Sequence, residues 1–315
     1  MKPNNWASAS QAIDLLAKQR FTWPLVERNY KLLEKVQLKS FDMGGFTIRV
    51  QFNPARIISS GAKVDTQSIK ARKCFLCLGN LPIEQERLPF GLRYLILCNP
   101  YPIFPQHFTI PSREHVPQSI LPRIDDFLEL TRRLAPLTLF YNGPRCGASA
   151  PDHAHFQAVT RGIMPIDEGI LRQISTSQPV KEIQDASLYL LTKYLRNGFI
   201  LKASTQESAH RLFKEIYTAL PIPPEESEPM MNLFGSYIEH QWILTLIPRK
   251  RHRPWQYKAE GDDHLLSSPG AADIGGLFIT PLEEDFHKIN PDLLRDVYQQ
   301  VCLSDEEVTD LCYSI

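Results

Sequence analysis

The sequence has no long apolar run, no surplus of charge and no cysteine framework, and each absence removes a class of protein. No stretch approaches the roughly 18 to 20 apolar residues of a membrane-spanning helix, so no membrane partner is expected. Thirty-five basic side chains balance thirty-five acidic ones among 315 residues. The whole-protein basic field that nucleic acid or an anionic bilayer would need is therefore missing, although a local phosphate pocket stays open. The opening Met1-Lys2-Pro3-Asn4-Asn5-Trp6 places no apolar core behind a basic head, so no signal peptide is expected. Six cysteines in a chain of this length do not make a disulfide scaffold. A cytoplasmic location with reduced thiols follows as the expectation.

What is present is ordinary globular material, 43% hydrophobic and 22% charged, enough for one large domain or two moderate ones. Twenty-five prolines point to many short elements joined by stiff loops. Helical spacing over residues 8–36 predicts an N-terminal helical preface. Phe46–Phe52 alternates as a strand that Pro54 should end, and residues 59–63 read as a loop. Leu92–Cys98 and His107–Ile110 read as strands, residues 124–134 as a helix, and Leu137–Tyr141 as a strand. Beyond residue 165 the pattern partly restarts, with strands at 188–194 and 199–203 around the turn signal Asn197-Gly198, a helix over 206–219 and a strand over 242–247. Ser304 and Glu307 predict a capped final helix. Ile110-Pro111-Ser112-Arg113-Glu114-His115-Val116-Pro117 and Ile247-Pro248-Arg249-Lys250-Arg251-His252-Arg253-Pro254 share the form I-P-x-x-x-H-x-P, an echo suggestive of duplication.

The stretch with the most chemistry is Pro151-Asp152-His153-Ala154-His155-Phe156-Gln157-Ala158-Val159. Read as a strand, it turns His153, His155 and Gln157 to one face and Ala154, Phe156 and Ala158 to the core. Two strand positions span about 6.6 Å, which suits two neighbouring tasks better than one shared task. Cys74-x-x-Cys77 has a spacing that suits tetrahedral zinc, and His115 and His153 would complete a closed, structural Cys2His2 shell. A neutral His155 with one ring nitrogen tied to a carbonyl would offer the other lone pair to an α-phosphate. Gln157, Asn142, Ser149 and the backbone N–H groups around Gly147 would surround the phosphate oxygens. Arg56, Lys63 and the cluster Arg249–Arg253 are further candidates for phosphate contact, with a solvated loop as the plain alternative for the cluster. Residues 267–276 read as a substrate loop or a packed turn.

The segment Asn142–Gln157 resembles the active-site segment of the histidine-triad superfamily, in its branch of galactose-1-phosphate uridylyltransferases and nucleotide phosphorylases. Cys74-Phe75-Leu76-Cys77-Leu78-Gly79-Asn80 resembles the zinc segment of the uridylyltransferases, and Asn99–His115, with its Pro-x-His-Phe-x-Ile-Pro, is also similar to the superfamily. The resemblance implies zinc on Cys74, Cys77, His115 and His153, a nucleotidylated His155, a phosphate-binding Gln157, and ribose contact at Asn99. GDP-L-galactose phosphorylase and dinucleoside tetraphosphate phosphorylases of this branch also carry H-x-H-x-Q. It further implies an α+β chain of two related halves, 1–165 with the motifs and 166–315 without catalytic histidines, each an antiparallel sheet with packed helices. Homodimers are common in the branch.

The expected activity is that of a nucleotidyltransferase or phosphorylase working by double displacement. Its donor would be a nucleotide sugar or a dinucleotide, and its acceptor phosphate or a sugar phosphate. A hydrolase using water, and a zinc-stabilised nucleotide-binding module without turnover, are the competing expectations.

Overall fold

The computed structural model describes residues 6–57, 61 and 65–315. Among the described residues thirteen strands carry the fold. In chain order they are β1 (Gln37–Asp42), β2 (Thr47–Phe52), β3 (Arg87–Phe90), β4 (Tyr94–Cys98), β5 (His107–Pro111), β6 (Leu137–Asn142) and β7 (His155–Thr160). They continue with β8 (Lys181–Ile183), β9 (Ala186–Leu191), β10 (Gly198–Ala203), β11 (Met231–Ile238), β12 (Gln241–Pro248) and β13 (Leu277–Thr280).

Ten of them form one antiparallel sheet in the order β3-β4-β5-β7-β6-β11-β12-β10-β9-β8. The two ends mirror each other. In each, the last two strands of a five-strand run exchange places, and the runs join where β6 pairs with β11 through Asn142↔Asn232 and Gly235↔Leu139. A helix links the third and fourth strand of each run, Ile124–Arg133 in one and Gln206–Ala219 in the other. The chain is thus α+β, with helices packed on antiparallel strands.

Each sheet face carries a core. One holds Phe156 and Ala158 of β7 against Phe127 and the N-terminal helices. The other holds Val159 and Phe140 against Ile166, Ala271, Ile274 and the small sheet β1-β2-β13. This division confirms the alternation read from Ala154 to Val159, because burial of every second side chain fixes the strand's register.

Several local expectations shift. The N-terminal preface is two helices, Ala9–Thr22 and Pro24–Leu33, because Pro24 has no N–H to continue the first and is well placed to start the second. The His-x-His strand begins only at His155, with His153 in the preceding turn. Asn197-Gly198 does not form the hairpin turn: β9 and β10 pair as expected, but residues 192–197 connect them and Gly198 is already in β10. A Cβ there would meet the Leu246 carbonyl at 2.2 Å, so this glycine serves close strand approach. The I-P-x-x-x-H-x-P echo follows the third strand of the first run but the fifth of the second, so its two copies do not occupy matching positions. The loop at 59–63 lies outside the described residues apart from Gly61. Among the described residues no helix is long and apolar enough to cross a membrane.

Glu228 is a buried acid where the two runs join. Glu228 accepts from the Ile120 N–H at 2.8 Å and from the Tyr141 hydroxyl. Burial outweighs these bonds and pushes its carboxyl up to about 7. An acid whose pKa is raised on folding contributes stability fully only below its unfolded value, near 4.3, and loses it as pH rises through about 7. Melting temperature should therefore fall between pH 5 and 8, with Glu228 accounting for roughly 3 kcal/mol. In Glu228→Gln the Tyr141 hydroxyl can reverse and accept, so that variant should show a flatter profile. An unchanged slope would remove Glu228 as the cause.

Candidate active site and metal centre

Four side chains from three segments converge beside the start of β7. The metal-facing atoms of Cys74, Cys77, His115 and His153 all lie within 4.8 Å of one another. Cys74 Sγ is 3.3 Å from His153 Nδ1, and Cys77 Sγ is 3.1 Å from His115 Nδ1 and 3.7 Å from His153 Nδ1. Bonds of about 2.0 to 2.3 Å to a tetrahedral ion would set its ligands roughly 3.3 to 3.8 Å apart, so the donor set fits a four-coordinate metal. The supports fit as well. His153 Nε2–H donates to the Ser112 carbonyl at 2.8 Å, which turns Nδ1 to the cluster. Asp152 lies 3.6 Å from His115 Nε2 and takes Arg72 Nη2 at 2.7 Å. Burial alone would raise the Cys74 thiol, but its bonds to His153 and to the N–H groups of Leu76 and Cys77 bring it down to about 6.

Two residues on, His155 is clamped by the backbone. Its N–H donates to Gln118 Oε1 at 2.8 Å, and its carbonyl accepts from Gln118 Nε2 at 3.0 Å. The ring Nδ1–H donates to the His153 carbonyl at 2.8 Å. That fixes the tautomer and leaves Nε2 as the lone-pair nitrogen. Burial holds the imidazole neutral, with its pKa lowered to about 4. On the same face, Gln157 Oε1 accepts from His107 Nε2 at 2.8 Å, while His107 Nδ1 accepts from the Ile103 N–H at 3.2 Å. His107 is fully buried, and burial followed by the nearby Arg56 charge lowers its pKa to about 3.

Asn142 ends β6 beside this row, since Gln118 Nε2 also donates to its carbonyl at 2.9 Å. The loop 143–154 that follows leads to β7 and carries Gly147 at φ +96°. A Cβ on Gly147 would stand 2.3 Å from Gly270 Cα, so the loop rests backbone to backbone on Pro269 and Gly270. Asn142 Oδ1 accepts from the Ala271 N–H at 2.7 Å and from Asn232 Nδ2 at 2.9 Å. Asn232 Nδ2 also reaches the Cys146 carbonyl at 2.8 Å.

The structure thus brings together His153, His155, Gln157, Asn142 and Gly147. Arg56 is nearby, donating to the Tyr101 carbonyl at 2.7 Å, with its charge felt by His107 and Asp273. The Ser149 carbonyl faces Arg72 Nη2 at 3.4 Å. Asn99 spends its side chain on its own loop and on β5, accepting from the Tyr101 N–H at 2.9 Å and donating to Thr109 Oγ1 at 3.1 Å. Lys63 lies outside the described residues. Arg249 is not available to a substrate: it is buried and donates to the carbonyls of Val301, Pro269, Arg251 and His252 and to Asn232 Oδ1.

Sequence reasoning missed Gln118, His107, Arg72, Asn232 and Asp152 as supports. His107 had a signal, its place in Pro-x-His-Phe-x-Ile-Pro. Asp152 had one too, its place beside His153, and the others are lone polar residues whose partners lie far along the chain.

A family described as a domain of unknown function (DUF4922) matches residues 15–160. No curated protein matches the sequence. Among solved structures, yeast Ap4A phosphorylase Apa2 in complex with Ap4A aligns with a TM-score of 0.58 at 15% identity, over 92% of this chain and 98% of that one. A second structure of yeast Ap4A phosphorylase Apa2 gives 0.54 at 15% identity, over 89% of this chain and 93% of that one. The chain has the histidine-triad-like fold of that phosphorylase.

Proposed function

We propose that this chain is a nucleotidyltransferase of the phosphorylase kind, working through a covalent nucleotidyl group on His155. The observation that carries the reading is the His155 ring itself: neutral, buried, its Nδ1–H on the His153 carbonyl and Nε2 left as nucleophile. Nε2 attacks the α-phosphorus, the bridging P–O bond breaks, and the leaving phosphate takes the electron pair. A phosphate oxygen of the acceptor then attacks phosphorus, and the P–N pair returns to Nε2. The proton stays on Nδ1 throughout, hydrogen-bonded to the His153 carbonyl, and that carbonyl steadies the positive charge of the ring while it carries phosphorus.

Donors around the phosphate would be the Gln157 amide N–H groups and the backbone of the loop around Gly147 and Ser149, with Asn142 shaping that loop and Arg56 adding charge. Zinc on Cys74, Cys77, His115 and His153 would be structural, holding the turn that feeds β7. Lys63 stays a candidate from its sequence position alone. The yeast enzyme's Ap4A makes a dinucleoside polyphosphate the first donor to try, ahead of a nucleotide sugar.

We also read the two five-strand runs as duplicated halves, 1–165 and 166–315, with chemistry in the first only. The mirrored strand order supports this. Where the first run has the loop 143–154, the second has the two-residue turn Glu239–His240 between β11 and β12, both at positive φ, which leaves no room for a phosphate loop.

The test is intact-protein mass after incubation with dinucleoside polyphosphates and with UDP-, GDP- and ADP-sugars, in each case without acceptor. An added nucleotidyl mass establishes the intermediate and names the base. Nucleotide binding without an adduct from any donor overturns the reading.

His107 belongs to this chemistry as a positioning residue. Because its Nε2–H occupies Gln157 Oε1, the Gln157 N–H groups are the ones left to face phosphate. Losing either side chain should cost transfer roughly 10- to 100-fold, the range of one charge-assisted bond. In a double-mutant cycle His107→Ala should add almost nothing once Gln157→Ala is present. Additive losses would mean that His107 acts only on stability.

A further inference from the structure

The loop between β4 and β5 is held by side chains. From Pro100 to Ile103 every backbone carbonyl accepts from one. Pro100 accepts from Asn29 Nδ2 at 2.7 Å and Tyr101 from Arg56 Nη1 at 2.7 Å, while Pro102 accepts from Asn53 Nδ2 at 3.3 Å and Ile103 from Gln51 Nε2 at 3.3 Å. The two prolines have no N–H. The Tyr101 N–H is spent on Asn99 Oδ1 at 2.9 Å and the Ile103 N–H on His107 Nδ1 at 3.2 Å. With two fixed proline φ angles and no backbone group left over, this loop has little freedom to move.

The small sheet supplies the grips nearest the site. Gln51 lies in β2 and Asn53 stands just past its end, and both are buried, at 4% and 3% exposure. Buried carboxamides are costly unless they are bonded. Here Asn53 Nδ2 donates to Gln51 Oε1 at 3.0 Å as well as to the Pro102 carbonyl. The Pro102 carbonyl and the Ile103 N–H belong to one planar peptide unit and point in opposite directions. Asn53 therefore grips one end of the unit whose other end bonds His107.

From there the donors all run one way. Asn53 donates to Pro102, the Ile103 N–H to His107 Nδ1, and His107 Nε2–H to Gln157 Oε1 at 2.8 Å. A peptide N–H cannot accept, so the chain does not reverse while the peptide is held. Burial keeps His107 neutral, lowering its pKa to about 3, so its choice is between two neutral tautomers. With the peptide swung away, the Nδ1–H tautomer would open and Nε2 would accept from the Gln157 amide. The carboxamide would then turn its oxygen, not its N–H groups, toward phosphate.

We propose that Asn53, oriented by Gln51, is a positioning residue of the transfer site: through the Pro102–Ile103 peptide and His107 it sets which end of the Gln157 amide meets phosphate. The effect on transfer rests on the reading of His155 as nucleophile; the control of the His107 tautomer does not.

Two readouts test it. Nitrogen NMR of isotope-labelled histidine at neutral pH reports the His107 tautomer, its signals identified by their loss in His107→Gln. Intact mass follows the rate of adduct formation at a saturating concentration of the donor that labels the wild type. The wild type should hold His107 in the Nε2–H form alone. In Asn53→Ala and in Gln51→Met the Nδ1–H form should become populated. Adduct formation should slow roughly tenfold in Asn53→Ala, with the half-saturating donor concentration changed by less than about threefold. Val50→Ala is the control, since it opens the core beneath the same strand without touching either carbonyl. It should lower the melting temperature and leave tautomer and rate at their wild-type values.

An unchanged His107 tautomer in both Asn53→Ala and Gln51→Met overturns the proposal, whatever happens to the rate. So does a Val50→Ala that shifts the tautomer as far as Asn53→Ala, because general loosening of the small sheet would then suffice. A shifted tautomer with adduct formation at the wild-type rate overturns it as well, since the orientation of Gln157 would not matter to transfer. If the wild type forms no adduct on any donor while Asn53→Ala shifts the tautomer, the transfer reading falls and the relay to Gln157 stands.

Discussion

Replacing His155 with alanine should leave a protein that binds a nucleotide and never carries one. The chain at this residue is held without its ring: the clamp from Gln118 bonds its N–H and carbonyl, at 2.8 and 3.0 Å, and Ala154, Phe156 and Ala158 are buried in the core. Alanine keeps all of those contacts, so the fold and the phosphate loop should survive. What disappears is Nε2, and with it, on the proposed mechanism, the bond that would split one hard transfer into two easier displacements. The expected loss in turnover is on the order of 10⁴-fold or more, the scale seen when a nucleophile is removed from a site that still binds. Nucleotide affinity should change by less than about tenfold, since the phosphate donors remain. Intact mass should show no adduct in His155→Ala under conditions that label the wild type. An adduct persisting in that variant would move the nucleophile elsewhere.

The second large effect should come from the metal centre, and it should appear in stability before it appears in chemistry. Cys74→Ser, or a strong chelator, breaks a cluster that ties the segment at 74–77 to His115 and to the turn at His153. A structural ion of this type contributes folding free energy directly, and several kcal/mol lost from a domain this size should lower the melting temperature by roughly 10 °C or more. Because His155 bonds the His153 carbonyl at 2.8 Å, transfer should fall with the metal although the ion touches no substrate. About one zinc per chain is expected by elemental analysis, falling to near zero in Cys74→Ser. Full stability in a metal-free preparation would show that the four side chains hold together without an ion.

The sequence exposed those parts of the fold whose chemistry is local. Helix Gln206–Ala219 and the Ser304–Glu307 capping box were readable because caps and helical spacing sit within a few residues of one another. The central strand β11 was not. Met231–Ile238 is buried on nearly its whole length, so it shows no alternation, and Gly235, which would weaken most strands, is there because Phe127 lies 2.6 Å from where a Cβ would be. The same division holds at the site. His153, His155 and Gln157 share one short motif, and Cys74 and Cys77 another. Gln118, by contrast, bonds residues 24 and 37 positions away, and Asn232 meets Asn142 across 90 positions. A residue whose only duty is to meet a distant backbone leaves no local pattern. Arg249 shows the reverse error, a basic cluster suggestive of phosphate that the fold spends on carbonyl oxygens.

The contact between Gly147 and Gly270, with the Asn142 carboxamide on the Ala271 N–H, also bears on how the protein is made. The histidines leave the ribosome early, but the backbone against which their loop rests follows roughly 130 residues later, about ten seconds at ordinary rates of synthesis. Through that interval the nascent chain carries His155 without the backbone contact at Gly270 that supports the loop 143–154. On the transfer reading, a product truncated before residue 270 would hold the nucleophile but lack the backbone that supports its phosphate loop.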